Sequence, residues 1–267
     1  RDRPSLDRGR LARNVFQYLK PGLSTIEYLT LMGEELESRP TPGGHHFFDI
    51  VDGETIWLRH DTRRVNARTV IGDEVMLGGK GIFSTWGNLT HSPEDGTFGL
   101  GGDDWTHANW IHHDAERDTL LMSLGHRNAV AELSREGELL QVIGGPDSDY
   151  RPDPGHDDLS FPHGAHWIGD ELVLMNTHDS VSEVRRYRLE DGVMTRTWDF
   201  GAEFGWQVHA LGEAQPVGGD NLLVSWGSLG VVQVVGPDGA VVWEAHSGLG
   251  EFFAQVFLLP SRFSPRP

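Results

Sequence analysis

Histidine and asparagine alternate in the stretch His107-Ala108-Asn109-Trp110, where the sequence first suggests chemistry. Because alternate side chains of a strand point to opposite faces, we expect His107 and Asn109 to share one face. The chain has no cysteine, so a thiolate nucleophile or thiolate metal site is excluded. Histidine must therefore carry any nucleophilic or metal-binding role.

The same order of residues returns twice further along the chain. His163 precedes the apolar run at residues 171–176, and His209 precedes another at residues 221–225. Each histidine stands near the predicted start of one strand, before a turn and a strongly apolar second strand. The three histidines are 56 and 46 residues apart, which leaves room for four strands in each repeat.

Four-stranded units at such a period are typical of a β-propeller. The 34 glycines and 14 prolines agree with many tight turns between short strands. We predict an all-β propeller of five blades, within a range of four to six. Residues 253–259 would begin a last blade that N-terminal strands complete, and the innermost strands would bring His107, His163 and His209 together at the axis.

Residues 1–40 have a different pattern. Leu11, Val15, Tyr18 and Leu19 have helical spacing, and Ser24-Thr25-Ile26-Glu27 resembles a capping box that opens a second helix. Residues 39–44 are rich in proline and glycine and break this pattern. The sequence therefore predicts a helical extension at 1–40 and a propeller domain at 41–267.

Charge and hydropathy limit the partners. Forty acidic against 22 basic residues give a net charge of −18, which argues against nucleic acid and against an anionic membrane surface. No apolar run approaches the roughly 18 residues that span a bilayer. The chain shows no signal pattern and starts at Arg1 without a methionine, so we expect a soluble protein, cytoplasmic or exported with its leader removed. The sequence leaves its oligomeric state open.

Three groups of motifs resemble one known family. They are His107-Ala108-Asn109 with residues 118–123 and 128–130, Phe161-Pro162-His163 with Asn176, and His209 with residues 212–215, 221–224 and 237–244. In this order they resemble the arylsulfotransferases, bacterial aryl-sulfate sulfotransferases that use no nucleotide sulfate donor. The resemblance covers about residues 105–260.

The resemblance implies a function. His163 would be a nucleophile that takes a sulfuryl group from a small aryl sulfate and passes it to a phenol, and no cofactor would be needed. His107, Asn109 and His209 would surround the sulfate oxygens. Substrate contacts are expected from Trp110, Arg127, His166, Trp167 and Trp206. The family has an arginine shortly after the serine that matches Ser123, whereas this chain has Leu124-Gly125 there and Arg127 two positions later.

Two other functions stay open at this point. Converging imidazoles also suit iron, copper, manganese or zinc, with His107, His163, His209 and either His46 or His45 as ligands for oxidative or lyase chemistry. His163 and His166 are three residues apart, so they can share a strand face only across a bulge. The third hypothesis is a non-catalytic propeller that binds a small ligand.

The remaining polar residues are expected to be structural or solvated. We assign structural roles to six further histidines, which are His60, His91, His126, His156, His178 and His246. The carboxylates of Asp103, Asp104, Glu213 and residues 157–158 are expected to be solvated loop charges. One of these carboxylates could serve as a general base for an acceptor hydroxyl.

Overall fold

A computed structural model describes residues 15–20, 24–30, 34–91, 103–178, 180–248 and 256. The described part of the chain is all-β apart from three short 3₁₀ turns. It divides into two compact units. Unit 1 contains Arg1–Pro162 and Glu190–Met194, and unit 2 contains His163–Leu189 and Thr195–Pro267. No helix among the described residues has the length and hydropathy to span a bilayer.

Unit 1 contains three antiparallel sheets, each made from strands that are consecutive in the chain. The first has the order β1-β2-β3, the second β4-β5-β6-β7 and the third β12-β11-β10-β9. A short strand, β8, adds to β6 in parallel. The bounds are β1 Val15–Lys20, β2 Thr25–Thr30, β3 Glu35–Pro40, β4 Gly44–Val51, β5 Glu54–Val65, β6 Arg68–Leu77, β7 Lys80–Ser84, β8 Asp103–Asp104, β9 Ala108–Asp114, β10 Thr119–Leu124, β11 Ala129–Ser134 and β12 Leu139–Ile143.

The remaining strands form two further sheets. One runs β14-β15-β16-β17 with the short β13 added in parallel on β17, and the other runs β18-β19-β20-β21. The bounds are β13 Arg151–Pro152, β14 His163–Ile168, β15 Glu171–Thr177, β16 Ser182–Glu190, β17 Val193–Phe200, β18 Gly212–Pro216, β19 Leu222–Trp226, β20 Val231–Val235 and β21 Val241–His246. Four consecutive antiparallel strands are the organisation of a propeller blade. The predicted blade number and ring closure stay predictions.

Each unit has its own apolar core. In unit 1, Leu58 and Val75 of the second sheet belong to one buried cluster with Leu120 and Met122 of the third. The two positions from β10 alternate along the strand, as expected when one face of a sheet is packed. In unit 2 a second cluster joins residues of β15, such as Met175, to residues of β19. Burial of these faces fixes the register of the strands and thereby the position of the polar residues among them.

The N-terminal prediction is wrong for the described residues. Residues 15–20, 25–30 and 35–40 are three antiparallel strands, and the predicted helices do not form there. A strand forms here instead of a helix because Ile26 and Tyr28, two residues apart, are both buried in β2. β-Branched and aromatic residues also favour a pleated strand. Glu27, the presumed capping residue, instead accepts hydrogen bonds from Thr25 and Ser38. Leu11 and Met32 lie outside the described residues, and the domain boundary at 40/41 stays a prediction.

Most other strands match their predicted positions. The apolar runs at residues 171–176 and 221–225, which were predicted to be second strands, agree with β15 and β19 to within one residue at each end. One difference affects the candidate site, because β18 begins at Gly212 and His209 precedes it. The predicted strand at 253–259 falls outside the described residues except for Val256.

The turns between β11 and β12 and between β20 and β21 differ in how much space surrounds their glycine. Gly137 and Gly239 occupy corresponding turns and both have a positive φ, of 91° and 80°. A β-carbon on Gly137 would lie 2.1 Å from the Ile82 carbonyl oxygen, whereas one on Gly239 would meet nothing within 4 Å. We expect Gly239→Ala to lower the free energy of unfolding by about 1 kcal/mol through backbone strain alone. Gly137→Ala should cost about 2 kcal/mol or more because of the additional clash.

Urea denaturation of both variants, followed by tryptophan fluorescence, measures this difference. Equal losses in the two variants would contradict the described packing of the β11–β12 turn on β7.

Candidate functional site

Five histidines and two aspartates of unit 1 lie side by side. We call this group the histidine cluster. Its histidine rings form a chain of close neighbours, with centroid distances of 3.9 Å for His60 and His45, 5.1 Å for His45 and His46, 4.9 Å for His46 and His107, and 4.6 Å for His107 and His126. Six of the seven residues form two sets of three, His45-His60-Asp73 and Asp104-His107-His126, and His46 contacts both sets.

Strand register brings the first set together. His60 in β5 is paired with Asp73 in β6, and His45 in β4 is paired with Leu58, two residues before His60. Residues that are directly paired, or two apart on one strand, share a face of the sheet. All three polar side chains therefore lie on the face that also carries the buried Leu58.

A local irregularity adds His46. The register of β4 against β5 shifts between His45 and Phe48, and His46 has a φ of 52°. His107 has a φ of 47°, so two neighbouring histidines both adopt the left-handed region. Such a conformation is uncommon for residues other than glycine, costs of order 1–3 kcal/mol, and clusters at functional sites.

The Asp73 carboxylate is the buried centre of the cluster. Its Oδ2 accepts hydrogen bonds from the Thr106 hydroxyl at 2.6 Å and the Ala108 amide at 2.7 Å, and its Oδ1 lies 3.0 Å from His45 Nε2. Burial pushes the pKa of Asp73 upward, but His45 and the bonds from Thr106 and Ala108 outweigh burial and hold the pKa below its usual value. Asp73 is therefore a carboxylate at neutral pH.

Asp104 orients His107. One carboxylate oxygen of Asp104 accepts the His107 amide at 2.9 Å, and the other lies 2.7 Å from His107 Nδ1. Burial raises the pKa of Asp104, but the His107 imidazole outweighs it and keeps the pKa low. Because Nδ1 donates to the carboxylate, the Nε2 atom of a neutral His107 carries a lone pair.

His126 and His60 complete the cluster from opposite sides. His126 Nδ1 lies 2.6 Å from the Asp104 carbonyl oxygen, which can only accept, so Nδ1 is the donor. Burial lowers the pKa of His126 and also that of His60, where the nearby His45 lowers it further. His60 lies on the exposed side, so solvent reaches the cluster there.

Three other predicted site residues of unit 1 are buried in structural contacts. Asn109 donates its Nδ2 to the Pro162 carbonyl at 3.1 Å. Trp110 stacks on Phe47 at 3.8 Å, and Arg127 binds Asp147 at 3.0 Å and lies against the Trp105 ring. The prediction that His107 and Asn109 share a face assumed that both lie in one strand. This assumption is wrong, because β9 begins at Ala108 and His107 precedes it with a positive φ.

The other predicted residues lie in unit 2. His163 is paired with Met175 and His166 with Val173, and the register shifts between the two histidines. This shift is the bulge that lets both imidazoles share one face of the strand. Trp167 follows them in β14 and is partly exposed. The indole of Trp206 lies 5.4 Å from that of Trp226.

His209 lies just before β18. Its side chain is exposed, and its backbone amide donates to the Ser228 hydroxyl at 2.9 Å. His107 belongs to unit 1, whereas His163 and His209 belong to unit 2. The predicted convergence of these three histidines therefore stays a prediction, and the described grouping is the one around His46 and His107.

Sequence reasoning missed four members of the cluster. It assigned His60 and His126 to structural roles and Asp104 to a solvated loop, and it did not consider Asp73. The hairpin between β5 and β6 could have revealed the pairing. Its turn has two residues, Asn66 and Ala67, and both have a positive φ. Counting back from that turn pairs His60 with Asp73.

The low pKa of Asp104 gives a testable pH dependence. A carboxyl whose pKa is lower in the folded than in the unfolded state stabilises the fold above about pH 4, and this stabilisation is lost as the pH falls through the folded pKa. We expect Asp104→Asn to lower the free energy of unfolding at pH 7 by about 1–3 kcal/mol. The difference from the parent protein should shrink towards pH 3.

Urea denaturation between pH 3 and pH 7 measures this dependence, with Asp118→Asn as a control on an exposed carboxylate. A difference that is unchanged or larger at pH 3 would contradict the described Asp104–His107 contact.

Comparison with known proteins places the cluster in a family context. Residues 29–159 match the family model described as arylsulfotransferase (ASST). No curated protein matches the chain significantly. Among solved structures, a protein of unknown function from Bacteroides caccae is similar, with a TM-score of 0.50 and 13% identity over 88% of this chain and 78% of that one. At such low identity this likeness concerns the fold alone.

Two lyases are more distant structural neighbours. A streptogramin B lyase has a TM-score of 0.45 at 12% identity over 87% of this chain and 68% of its own. Virginiamycin B lyase from Staphylococcus aureus has a TM-score of 0.44 at 12% identity over 91% of this chain and 73% of its own. The family match begins before the motifs that suggested it and ends before His163. It confirms the resemblance, and this chain is arylsulfotransferase-like over residues 29–159, the stretch that contains the whole histidine cluster.

Proposed function

We propose that this protein is a nucleotide-independent transferase that moves a sulfuryl group from a small aryl sulfate to a phenol through a histidine. The family match supports an arylsulfotransferase-like function in general. The observation that carries the finer proposal is that every member of the histidine cluster lies within the matched residues 29–159.

His107 is the nucleophile that the geometry favours. Asp104 holds its Nδ1 at 2.7 Å, which fixes the tautomer with a lone pair on Nε2 and stabilises the positive charge that develops when Nε2 forms a bond. This assignment differs from the sequence-based choice of His163, which lies beyond the family match. The choice between the two histidines is decided by the experiment below.

The reaction then has two balanced steps. His107 Nε2 attacks the sulfur of the aryl sulfate, an N–S bond forms, the S–O bond to the ring breaks, and a phenolate leaves with the electron pair. In the second step the oxygen of an acceptor phenol attacks the sulfur of the sulfohistidine and an O–S bond forms. The N–S bond breaks with its electron pair returning to His107 Nε2, and the phenol proton passes to a base. His60 and His126 have lowered pKa values and are neutral at pH 7, so either can accept that proton.

The metal hypothesis assigns a different role to the His107 imidazole, that of a metal ligand. Of its four proposed ligands, His46 and His107 have ring centroids 4.9 Å apart, so this pair could contribute to a metal site. An Nε2 atom that binds a metal is not available for attack on sulfur. A protein that only binds a small ligand would turn over no aryl sulfate at all, so the three hypotheses predict different chemistry at His107.

Covalent trapping tests the proposal directly. We expect the protein, incubated with 4-nitrophenyl sulfate and quenched at alkaline pH, to gain one sulfuryl group of about 80 Da on the peptide that contains His107. His107→Ala should abolish the adduct and the release of 4-nitrophenolate, and Asp104→Asn should slow release by roughly 10²–10⁴-fold because the tautomer is no longer fixed.

His112→Ala is the matched control, because His112 also has a carboxylate partner, Asp49 at 3.1 Å, but lies outside the cluster. This variant should retain both the adduct and the release of 4-nitrophenolate. An adduct on His163 would overturn the assignment of the nucleophile. Turnover that survives both His107→Ala and His163→Ala would overturn the histidine mechanism.

A further inference from the structure

The geometry points to a divalent transition-metal site formed by His45 Nε2, a ring nitrogen of His60 and Asp73 Oδ1. One ligand atom from each of these three residues lies within 4.8 Å of the other two. Two imidazoles and one carboxylate form a common ligand set for first-row metals, and three protein ligands leave positions open for water or substrate. Neither His60 nor Asp73 belongs to the metal-ligand set expected from the sequence.

The distance between two of the ligand atoms fits an ion. His45 Nε2 and Asp73 Oδ1 are 3.0 Å apart. Two ligands that each lie about 2.1 Å from a metal and meet it at a right angle are about 3.0 Å from each other. The pair therefore already has the spacing of adjacent ligands, and binding would require little movement of the buried Asp73.

The same two atoms are not joined by a well-aligned hydrogen bond. Both are buried, and neither has a hydrogen-bond partner within the described residues. His45 Nδ1 lies 2.9 Å from His46 Nδ1, and one of these two atoms must be the donor. When His45 donates, its Nε2 carries a lone pair that faces the lone pairs of the carboxylate. In that tautomer the favourable contact between His45 and Asp73 is lost, and a cation between the two atoms would restore the attraction.

The second oxygen of Asp73 is already fixed. Its Oδ2 accepts from Thr106 and Ala108 at 2.6 and 2.7 Å, so the carboxylate cannot rotate and Oδ1 stays directed towards His45. Outer hydrogen bonds of this kind orient metal ligands in proteins. His60 is on the exposed side of the set, which gives an ion a route of entry from solvent.

The companion set, Asp104-His107-His126, is a weaker candidate. There the Asp104 carboxylate already accepts two hydrogen bonds from His107, and the Nδ1 atom of His126 is bonded to the Asp104 carbonyl oxygen. An ion would have to break contacts that the protein has made. At His45-His60-Asp73 the two facing atoms, His45 Nε2 and Asp73 Oδ1, form no aligned hydrogen bond that an ion would have to break.

The site would also supply a positive charge beside the proposed nucleophile. The family places an arginine near its sulfate site, and in this chain the nearest candidate, Arg127, is buried against Asp147 and Trp105. An ion held by His45 would be close to His107, because the His46 ring contacts the rings of both His45 and His107. The inference that this ion binds sulfate oxygens rests on the proposed function. The inference that the ion binds at His45, His60 and Asp73 does not.

Cobalt titration tests the site without any activity measurement. Tag-free protein is stripped with a chelator, dialysed and titrated with Co²⁺ while the visible d–d absorption is recorded, and Zn²⁺ is then added in competition. We expect one equivalent of Co²⁺ to bind and Zn²⁺ to displace it. We also expect the melting temperature to rise with metal concentration, since an ion that binds only the folded state stabilises it.

His60→Ala is the informative variant, because His60 is exposed and its loss should leave the fold intact. It should weaken Co²⁺ binding at least about tenfold, as His45→Ala should also do. His112→Ala, which alters a histidine with its own aspartate partner outside the cluster, should bind as the parent does. Circular dichroism confirms folding of each variant before titration.

The proposal is overturned if no stoichiometric Co²⁺ binds, if binding survives both His45→Ala and His60→Ala, or if only His107→Ala abolishes it. Failure of the two proposals can be told apart. Metal binding without a sulfohistidine adduct refutes the transfer function alone, and an adduct formed by metal-free protein that binds no Co²⁺ refutes the metal site alone.

Discussion

The buried carboxylate of Asp73 is the constraint on which the histidine cluster depends. It is 1% exposed, and its two oxygens face different elements, with Thr106 and Ala108 on one side and His45 on the other. These bonds hold the segment that leads into β9 against β6, and that segment carries both Asp104 and His107. A buried charge is costly unless it is paired, so the polar groups around Asp73 must be present together.

The histidines of the cluster have different hydrogen-bond partners, and their imidazole rings therefore differ in chemistry. His107 is held by a carboxylate, His126 by a carbonyl, and His45 Nε2 lies 3.0 Å from the Asp73 carboxylate. Low pKa values keep His60 and His126 neutral, whereas the carboxylates of Asp73 and Asp104 stay charged. One patch of unit 1 therefore brings together the groups that the proposed sulfuryl transfer and the proposed metal site would use.

The sequence predicted the regular part of the fold and little of the site. Strands such as β11 and β20 were predictable because apolar residues alternate between turns that glycine marks, as at Gly137 and Gly239. The strands at residues 15–40 were missed because chance helical spacing and a serine three residues before Glu27 imitated a helix start. The repetition of histidine and the family resemblance, which is now matched over residues 29–159, both identified His107 as a site residue.

The rest of the site depends on features that no local pattern encodes. The grouping of His60 with Asp73 follows from hairpin register, and the position of His46 and His107 follows from positive φ angles at non-glycine residues. Asp104 lies in a strand of two residues, too short to leave a periodic signal. Repetition of histidine suggested one shared point for His107, His163 and His209, whereas the described cluster is built from residues of sheets next to one another in the chain.

The most direct test of the account is the tautomeric state of the cluster histidines, read from two-bond proton–nitrogen correlations in protein labelled with ¹⁵N-histidine. Assignment by single substitutions identifies each ring. The account predicts that, in neutral rings, His107 and His126 carry the proton on Nδ1 and leave Nε2 unprotonated. Protonation of His107 on Nε2 with a bare Nδ1 would contradict the Asp104 contact, and with it the nucleophile that the proposed function requires.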